Sequence, residues 1–510
     1  MTEQDGTEPD STGNGSTGHR EAGRRDADDT SRPRRLETDV VVLGGGAVGE
    51  NAADRVVQDG LEAVLVEPAL IGGECSYWAC MPSKALLRPG TALAAARSVA
   101  GSREAGTGML DAQAVLDRRN SFTSHWNDSS QAEWVEGAGI GLVRGRGRLT
   151  GPREVTVDYD DAGTTTIVAR RAVVLATGSV PTPPPLKGLD GVEYWGTREA
   201  TSAQEVPPRL IVFGGGVSGT ELAQAWARLG SRVTLVARHD ILDSYPEQAR
   251  ELVKAGLVSD GVDVRTFTAA DFVRGTADGG VELCLQDGSV LSADRLLVST
   301  GRAPALAHLG LEELGLEELD MDSGRLESDD SGLVRGTDWL YVVGDAAGKV
   351  LLTHQGKYEA RAAGAAISAR ARGELAPAAA PRAWSREAST ANHVAVPQVV
   401  FTDPEIAMVG RTAEQARAGG VNVSETSLEL SVAGSSLYAD DYRGWAQMVV
   451  DEDRRVVVGM TFAGPGVSEL LHAATIAITG EVPLERLWHA VPSYPTISEI
   501  WLRLLEKYGL

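Results

Sequence analysis

Cysteine is scarce in this chain: 510 residues carry three. So few cannot staple a secreted chain of this length with disulfides, so the expected setting is a reducing cytoplasm. Long apolar stretches are missing too. No run approaches the ~18 residues that a membrane-spanning helix needs. Positive charge is short, with 48 Lys and Arg against 71 Asp and Glu and a formal net charge of −23. That balance argues against nucleic acid and anionic membrane surfaces as partners. The N-terminus lacks the continuous apolar segment of a signal peptide. It is rich in Gly, Ser, Thr and charge, so residues 1–36 are expected to be a disordered tail. What remains is an ordinary globular composition, 42% apolar, and a chain too long for one core.

That chain repeats itself. The run Asp39–Leu43 ends in Gly44-Gly45-Gly46-Ala47-Val48-Gly49, and Ile211–Phe213 ends in Gly214-Gly215-Gly216-Val217-Ser218-Gly219. Gly60 and Gly230 each fall sixteen residues after the first glycine, where a helix should stop. Second strands follow, "EAVLVE" and "RVTLVA". Two strand–helix–strand units with G-x-G-x-x-G predict two dinucleotide-binding domains. The first glycine permits the tight turn and the second lets a pyrophosphate approach. The third lets the helix pack on the strand.

The end of the second strand selects the nucleotide. Glu67 in the first unit can accept hydrogen bonds from a ribose diol, as in FAD or NAD. The second unit has Ala237 there, then Arg238 and His239, a basic pair suited to the 2′-phosphate of NADPH over NADH. Three further buried-strand patterns stop at glycine: Thr177-Gly178-Ser179, Thr300-Gly301-Arg302 and Gly344-Asp345. An acidic side chain such as Asp345 can bind a polyol or cap a helix.

Two cysteines lie in "GGECSYWACMPSK", at 75 and 80. No second Cys or His pair follows at zinc-ligand spacing, so no metal site is expected. On one regular helix the two would point about 140° apart, but a distorted turn can bring them together. Gly72-Gly73 and Pro82 suggest a loop leading into a helix, whose N-terminus lowers a nearby thiol pKa. Spacing alone leaves packing and a redox pair both open. Cys284, in "VELCL", reads as incidental.

The whole set resembles the FAD-dependent pyridine nucleotide–disulfide oxidoreductases, the family of dihydrolipoyl dehydrogenase, glutathione reductase and mercuric reductase. The order agrees: FAD glycines, cysteine pair, "ATGS", NAD(P) glycines, "STGRAP", "VGDAA", then "FTDPEIAMVG", which is similar to the opening of a dimerisation domain. The resemblance implies an α/β fold with two Rossmann-like domains and a C-terminal α+β dimerisation domain. It implies FAD held by Gly44, Gly46, Gly49, Glu67, Gly73, Gly147, Thr177, Gly178, Ser179 and Asp345, with Leu351–His354 after it. Lys84 would lie near the flavin and pair with Glu221. Gly214, Gly216, Gly219, Arg238, His239 and Gly301 would hold NADPH. Cys80 would face the flavin and Cys75 would attack substrate, passing electrons from NADPH to a small-molecule or small-protein acceptor. Implied segments are 37–185 and 306–375 for FAD, 186–305 for NAD(P), a linker at 376–390 and an interface domain at 391–510 of a homodimer.

One position departs. The family usually ends with His-Pro-Thr-x-x-Glu, a histidine base supplied by the partner subunit and oriented by the glutamate. Here Tyr494 precedes Pro495, with Glu499 in place. A phenol with pKa near ~10 is a poor base at neutral pH, which disfavours lipoamide or glutathione disulfide as efficient substrates. Ala237 and Tyr494 both argue against an NAD-dependent dihydrolipoyl dehydrogenase, the alternative reading. Mercuric reductases carry a C-terminal cysteine pair that "WLRLLEKYGL" lacks. A quinone reductase that bypasses the cysteines stays open. A flavin-binding subunit without turnover is disfavoured by the complete motif set.

Overall fold

The computed structural model describes residues 34–159, 163–316 and 324–510. The expected tail lies outside the described residues up to 33. Arg34, Arg35 and Leu36, assigned by composition to the tail, already belong to strand β1 (Arg34–Leu43). There Leu36 pairs with Ile167, and the ladder supplies backbone bonds that composition cannot show.

β1 leads into α1 (Ala47–Gln58) and β2 (Ala63–Glu67). Val40, Val41 and Val42 are each 0% exposed, because a central parallel strand is covered on both faces. The sheet runs Gly141–Arg144, β2, β1, Thr164–Leu175, all parallel. Leu340–Val342 returns from far along the chain to pair with Thr164–Leu175. The front half of Thr164–Leu175 turns to an antiparallel pairing with Glu154–Asp158. The first dinucleotide domain is therefore assembled from two separated segments.

The second unit orders its parallel strands Asp263–Arg265, Arg232–Val236, Arg209–Phe213, Arg295–Val298. The third body is a five-stranded antiparallel sheet from Pro397 to Gly464, packed under the helices Leu471–Thr479 and Ile500–Tyr508. Two dinucleotide-binding domains and an α+β domain result.

Two contacts aim these bodies at one another. α1 packs on the helix Thr353–Ala371, so closely that a Cβ on Gly364 would lie 2.8 Å from Arg55. This fixes the N-terminus of the long helix beside the cysteine segment. The helix Val217–Arg228 ends in the half-buried Arg228, which pairs with Asp260 at 2.9 Å and Asp403 at 2.8 Å. Asp403 lies in the turn between the first two strands of the third body, Pro397–Val400 and Glu405–Gly410, so that body is anchored to the second. Among the described residues no helix is long and apolar enough to cross a membrane.

Candidate active site

The two glycine loops have the same geometry. Gly44 (φ +105) and Gly214 (φ +128) sit where a Cβ would lie 2.3 Å from the Ala176 carbonyl and 2.1 Å from the Ser299 carbonyl. A Cβ on Gly49 would lie 1.8 Å from Gly44 O, and one on Gly219 2.1 Å from Gly214 O. The middle glycines differ. Gly216 has nothing within 4 Å of a Cβ, and Gly46 only the Cα of Gly73 at 3.8 Å. Both middle glycines leave an open cradle at a helix N-terminus, which suits a pyrophosphate. Gly178 (φ +77) and Gly301 (φ +141) also face open space. Gly301 borders a cavity of about 270 Å³ lined by Thr182, Tyr194 and Thr300. Gly147 faces the core instead, since a Cβ there would lie 2.7 Å from Leu43.

At the end of β2, Glu67 is buried. Its carboxylate accepts from Gly45 N at 2.6 Å and Ala69 N at 2.7 Å, and burial raises its pKa. Ala237 occupies the matching place in the second unit, 3% exposed, and no carboxylate meets Gly215. Arg238 and His239 beyond it are exposed, with Arg238 Nε 3.3 Å from His239 Nε2.

The cysteine segment is bent. A short helix α2 (Gly73–Tyr77) holds Cys75, and α3 (Cys80–Arg97) begins at Cys80. Between them Trp78 (φ −138) and Ala79 (φ −134, ψ −94) leave helical geometry. This break replaces the 140° divergence of a continuous helix and brings the two thiols close enough to perturb each other's ionisation in opposite directions. The loop is docked by backbone: Gly72 N donates to Gly45 O at 2.8 Å. A Cβ on Gly73 would sit 2.7 Å from Gly46, so this glycine admits the phosphate loop itself.

The two thiols are unequal. Cys80 is pulled down to about 6, first by the hydrogen bond from Cys75, then by Thr353 and Lys84, against burial. Thr353 Oγ1 lies 3.3 Å from its sulfur. Cys75 is pushed up by that same hydrogen bond and by burial. One turn into α3, Lys84 Nζ meets Glu221 Oε2 at 2.7 Å and lies 4.9 Å from the Phe401 ring centre. Glu221 is 2% exposed, and its other oxygen accepts from Phe401 N at 2.9 Å.

A polar chain reaches the same segment from the other side. Asp345 Oδ2 accepts from Ser179 Oγ at 2.6 Å, which accepts from Arg302 Nε at 2.7 Å. Arg302 Nη2 meets Glu74, the neighbour of Cys75, at 2.6 Å. Thr177 instead holds the Ala305 carbonyl at 2.8 Å. Leu351 is exposed, and His354 turns to the Pro397 carbonyl at 2.8 Å.

Residues 38–379 match the family described as pyridine nucleotide-disulphide oxidoreductase, and residues 396–504 match its dimerisation domain. The chain belongs to this family. It is similar to the mercuric reductase of Shigella flexneri, 30% identical over 90% of this chain and 79% of that one. It is also similar to the dihydrolipoyl dehydrogenase of Staphylococcus aureus, 29% identical over 92% of this chain and 97% of that one. The crystal structure of LpdA from Mycobacterium tuberculosis shares the fold, with a TM-score of 0.78 and 24% identity. The match covers 94% of this chain and all (100%) of that one. Enzymes of this family use FAD, and the open glycine cradles and the Glu67 carboxylate fit that group.

In this oxidoreductase Tyr494 stands apart from the other site residues, 77% exposed. Glu499 is buried. One oxygen accepts from Arg503 Nη2 at 2.5 Å, and Oε2 has no hydrogen-bond partner among the described residues. Sequence reasoning passed over Glu74, Arg302, Thr353 and Phe401 as individual site residues. Arg302 and Glu74 each lie inside a quoted motif, but their 228-residue separation carried no local signal. Among the described residues no group of His, Cys, Asp and Glu is clustered to hold a metal.

Proposed function

We propose that this oxidoreductase is a cytoplasmic, NADPH-dependent homodimer. It passes electrons through the Cys75–Cys80 pair to a disulfide or another small-molecule or small-protein acceptor. When bound, FAD supplies two-electron transfer between nicotinamide and disulfide. Gly46 and Glu67 would hold its adenosine diphosphate, with Asp345 and Lys84 towards the flavin end. Gly216, Arg238 and His239 would hold NADPH.

The observation that carries the reading is the Cys75–Cys80 pair at the break between α2 and α3, beside the Lys84–Glu221 ion pair at 2.7 Å. Reduction of the disulfide breaks the S–S bond, takes two electrons and one proton, and leaves Cys80 as thiolate and Cys75 as thiol. Cys75 must then lose its proton to attack an acceptor. Tyr494 of a partner subunit is a weak base for that step. The chemistry therefore favours acceptors with low-pKa leaving groups, or acceptors that take electrons directly.

The test is an anaerobic NADPH titration of the yellow protein, wild type against Cys75→Ser, followed by absorbance. The reading expects about four electrons per flavin and a long-wavelength thiolate band in the wild type. Uptake of only two electrons by both proteins would make the cysteines spectators.

A further inference from the structure

The second dinucleotide sheet ends in one aligned row. Val298, Phe213, Val236 and Arg265 pair across its four strands as the last rungs. Ligands of such sheets lie outside the carboxyl ends of the strands. Two residues beyond that row stand Thr300, Gly215, Arg238 and Phe267. Three of these belong to segments already assigned to nucleotide binding; Phe267 does not.

Phe267 is unusual on two counts. The residue is 73% exposed, and its backbone has φ +52, a strained conformation for a bulky residue. The loop is nevertheless pinned. Phe267 N donates to His239 O at 3.1 Å, and Thr268 N donates to Ala237 O at 2.9 Å. The backbone that bears the phenyl ring is thus held to the turn that carries Arg238 and His239. In the first unit the corresponding place is Gly145, where a Cβ would lie 2.6 Å from Val157, because the next strand closes over it. The second unit leaves the place open and puts an aromatic there.

We propose that Phe267 is the adenine platform of the nicotinamide-dinucleotide site. It stacks on the base, while Arg238 and His239 take the ribose 2′-phosphate. This rests on reading the second unit as the nicotinamide-dinucleotide site. Stacking is indifferent to the 2′-substituent, so Phe267 contributes equally to NADPH and NADH, and Arg238 contributes to NADPH alone.

The experiment is calorimetric binding of 2′,5′-ADP and of 5′-ADP to the oxidised holoenzyme, for wild type, Phe267→Ala, Phe267→Trp and Arg238→Ala. Phe267→Ala weakens both nucleotides about tenfold and Phe267→Trp restores them, with the thermal midpoint unchanged. Arg238→Ala weakens 2′,5′-ADP only. Unchanged affinity for both nucleotides in Phe267→Ala overturns the proposal. So does loss of binding that Trp fails to restore. If wild type binds 5′-ADP as tightly as 2′,5′-ADP, the NADPH preference falls, and 5′-ADP still tests Phe267.

Discussion

Two alanines placed three residues apart should fail in opposite ways. Gly216 has φ −75 and ψ −179, which alanine adopts without strain, and its Cβ would meet no atom within 4 Å. Gly216→Ala should therefore fold, with a stability change inside about 0.5 kcal/mol. The new methyl occupies the cradle, however, and holds a pyrophosphate off the helix N-terminus. Losing one charge-assisted backbone hydrogen bond costs about 1.5–3 kcal/mol, so KM for NADPH should rise roughly 10- to 150-fold. A Cβ on Gly219 would instead lie 2.1 Å from Gly214 O and 3.2 Å from its carbonyl carbon, so backbone must shift. Gly219→Ala should cost about 1–3 kcal/mol or more of stability. The assays are thermal unfolding, flavin absorbance to show that FAD is retained, and NADPH steady-state kinetics. If Gly216→Ala keeps the wild-type KM, the cradle is not where the nucleotide binds and the reasoning fails. The same would follow if Gly219→Ala unfolds at the wild-type temperature.

The thiolate of the reduced enzyme gives a pH test. Cys80 lies at about 6, so the long-wavelength band should grow as pH rises through 6. Its depressed pKa also stabilises the reduced fold. That contribution is complete above the ordinary thiol pKa and is lost as pH falls through 6. Cys75→Ser should move the midpoint upward if the serine hydroxyl donates more weakly than the thiol; an unshifted midpoint would mean that Thr353 and Lys84 set it. Tyr494→His restores a base of pKa near ~6.5 and should raise disulfide reductase activity by up to about 10²-fold. Equal rates in both proteins would remove the missing base as the limiting feature.

Much of this site was readable before any fold was known, because its demands are local. A turn at φ above +100 requires glycine, so Gly44 and Gly214 stand out in any reading. The same holds for the helix-packing glycines, 49 and 219, and for two cysteines at the head of a helix. These are conditions on a few consecutive residues, and residue type alone reports them. The departure at Tyr494 was equally plain, since it is one letter in an otherwise complete pattern. Composition misled at Arg34–Leu36, where two arginines and a leucine are held in a strand by the ladder beside them.

What only the tertiary structure decided are contacts between distant segments: Thr353 beside Cys80, Arg302 on Glu74, Phe401 N on Glu221, Phe267 against the Arg238 turn. None has a local signature, because threonine, arginine and phenylalanine occur anywhere on a surface. Their roles arise from strand register and helix packing. The row Val298–Phe213–Val236–Arg265 sets which loops share an edge, and the close approach of α1 to the helix Thr353–Ala371 sets what meets the thiols. Sequence by itself determined the kinds of chemistry this protein holds. The packing of its sheets and helices decided which side chains surround each thiol.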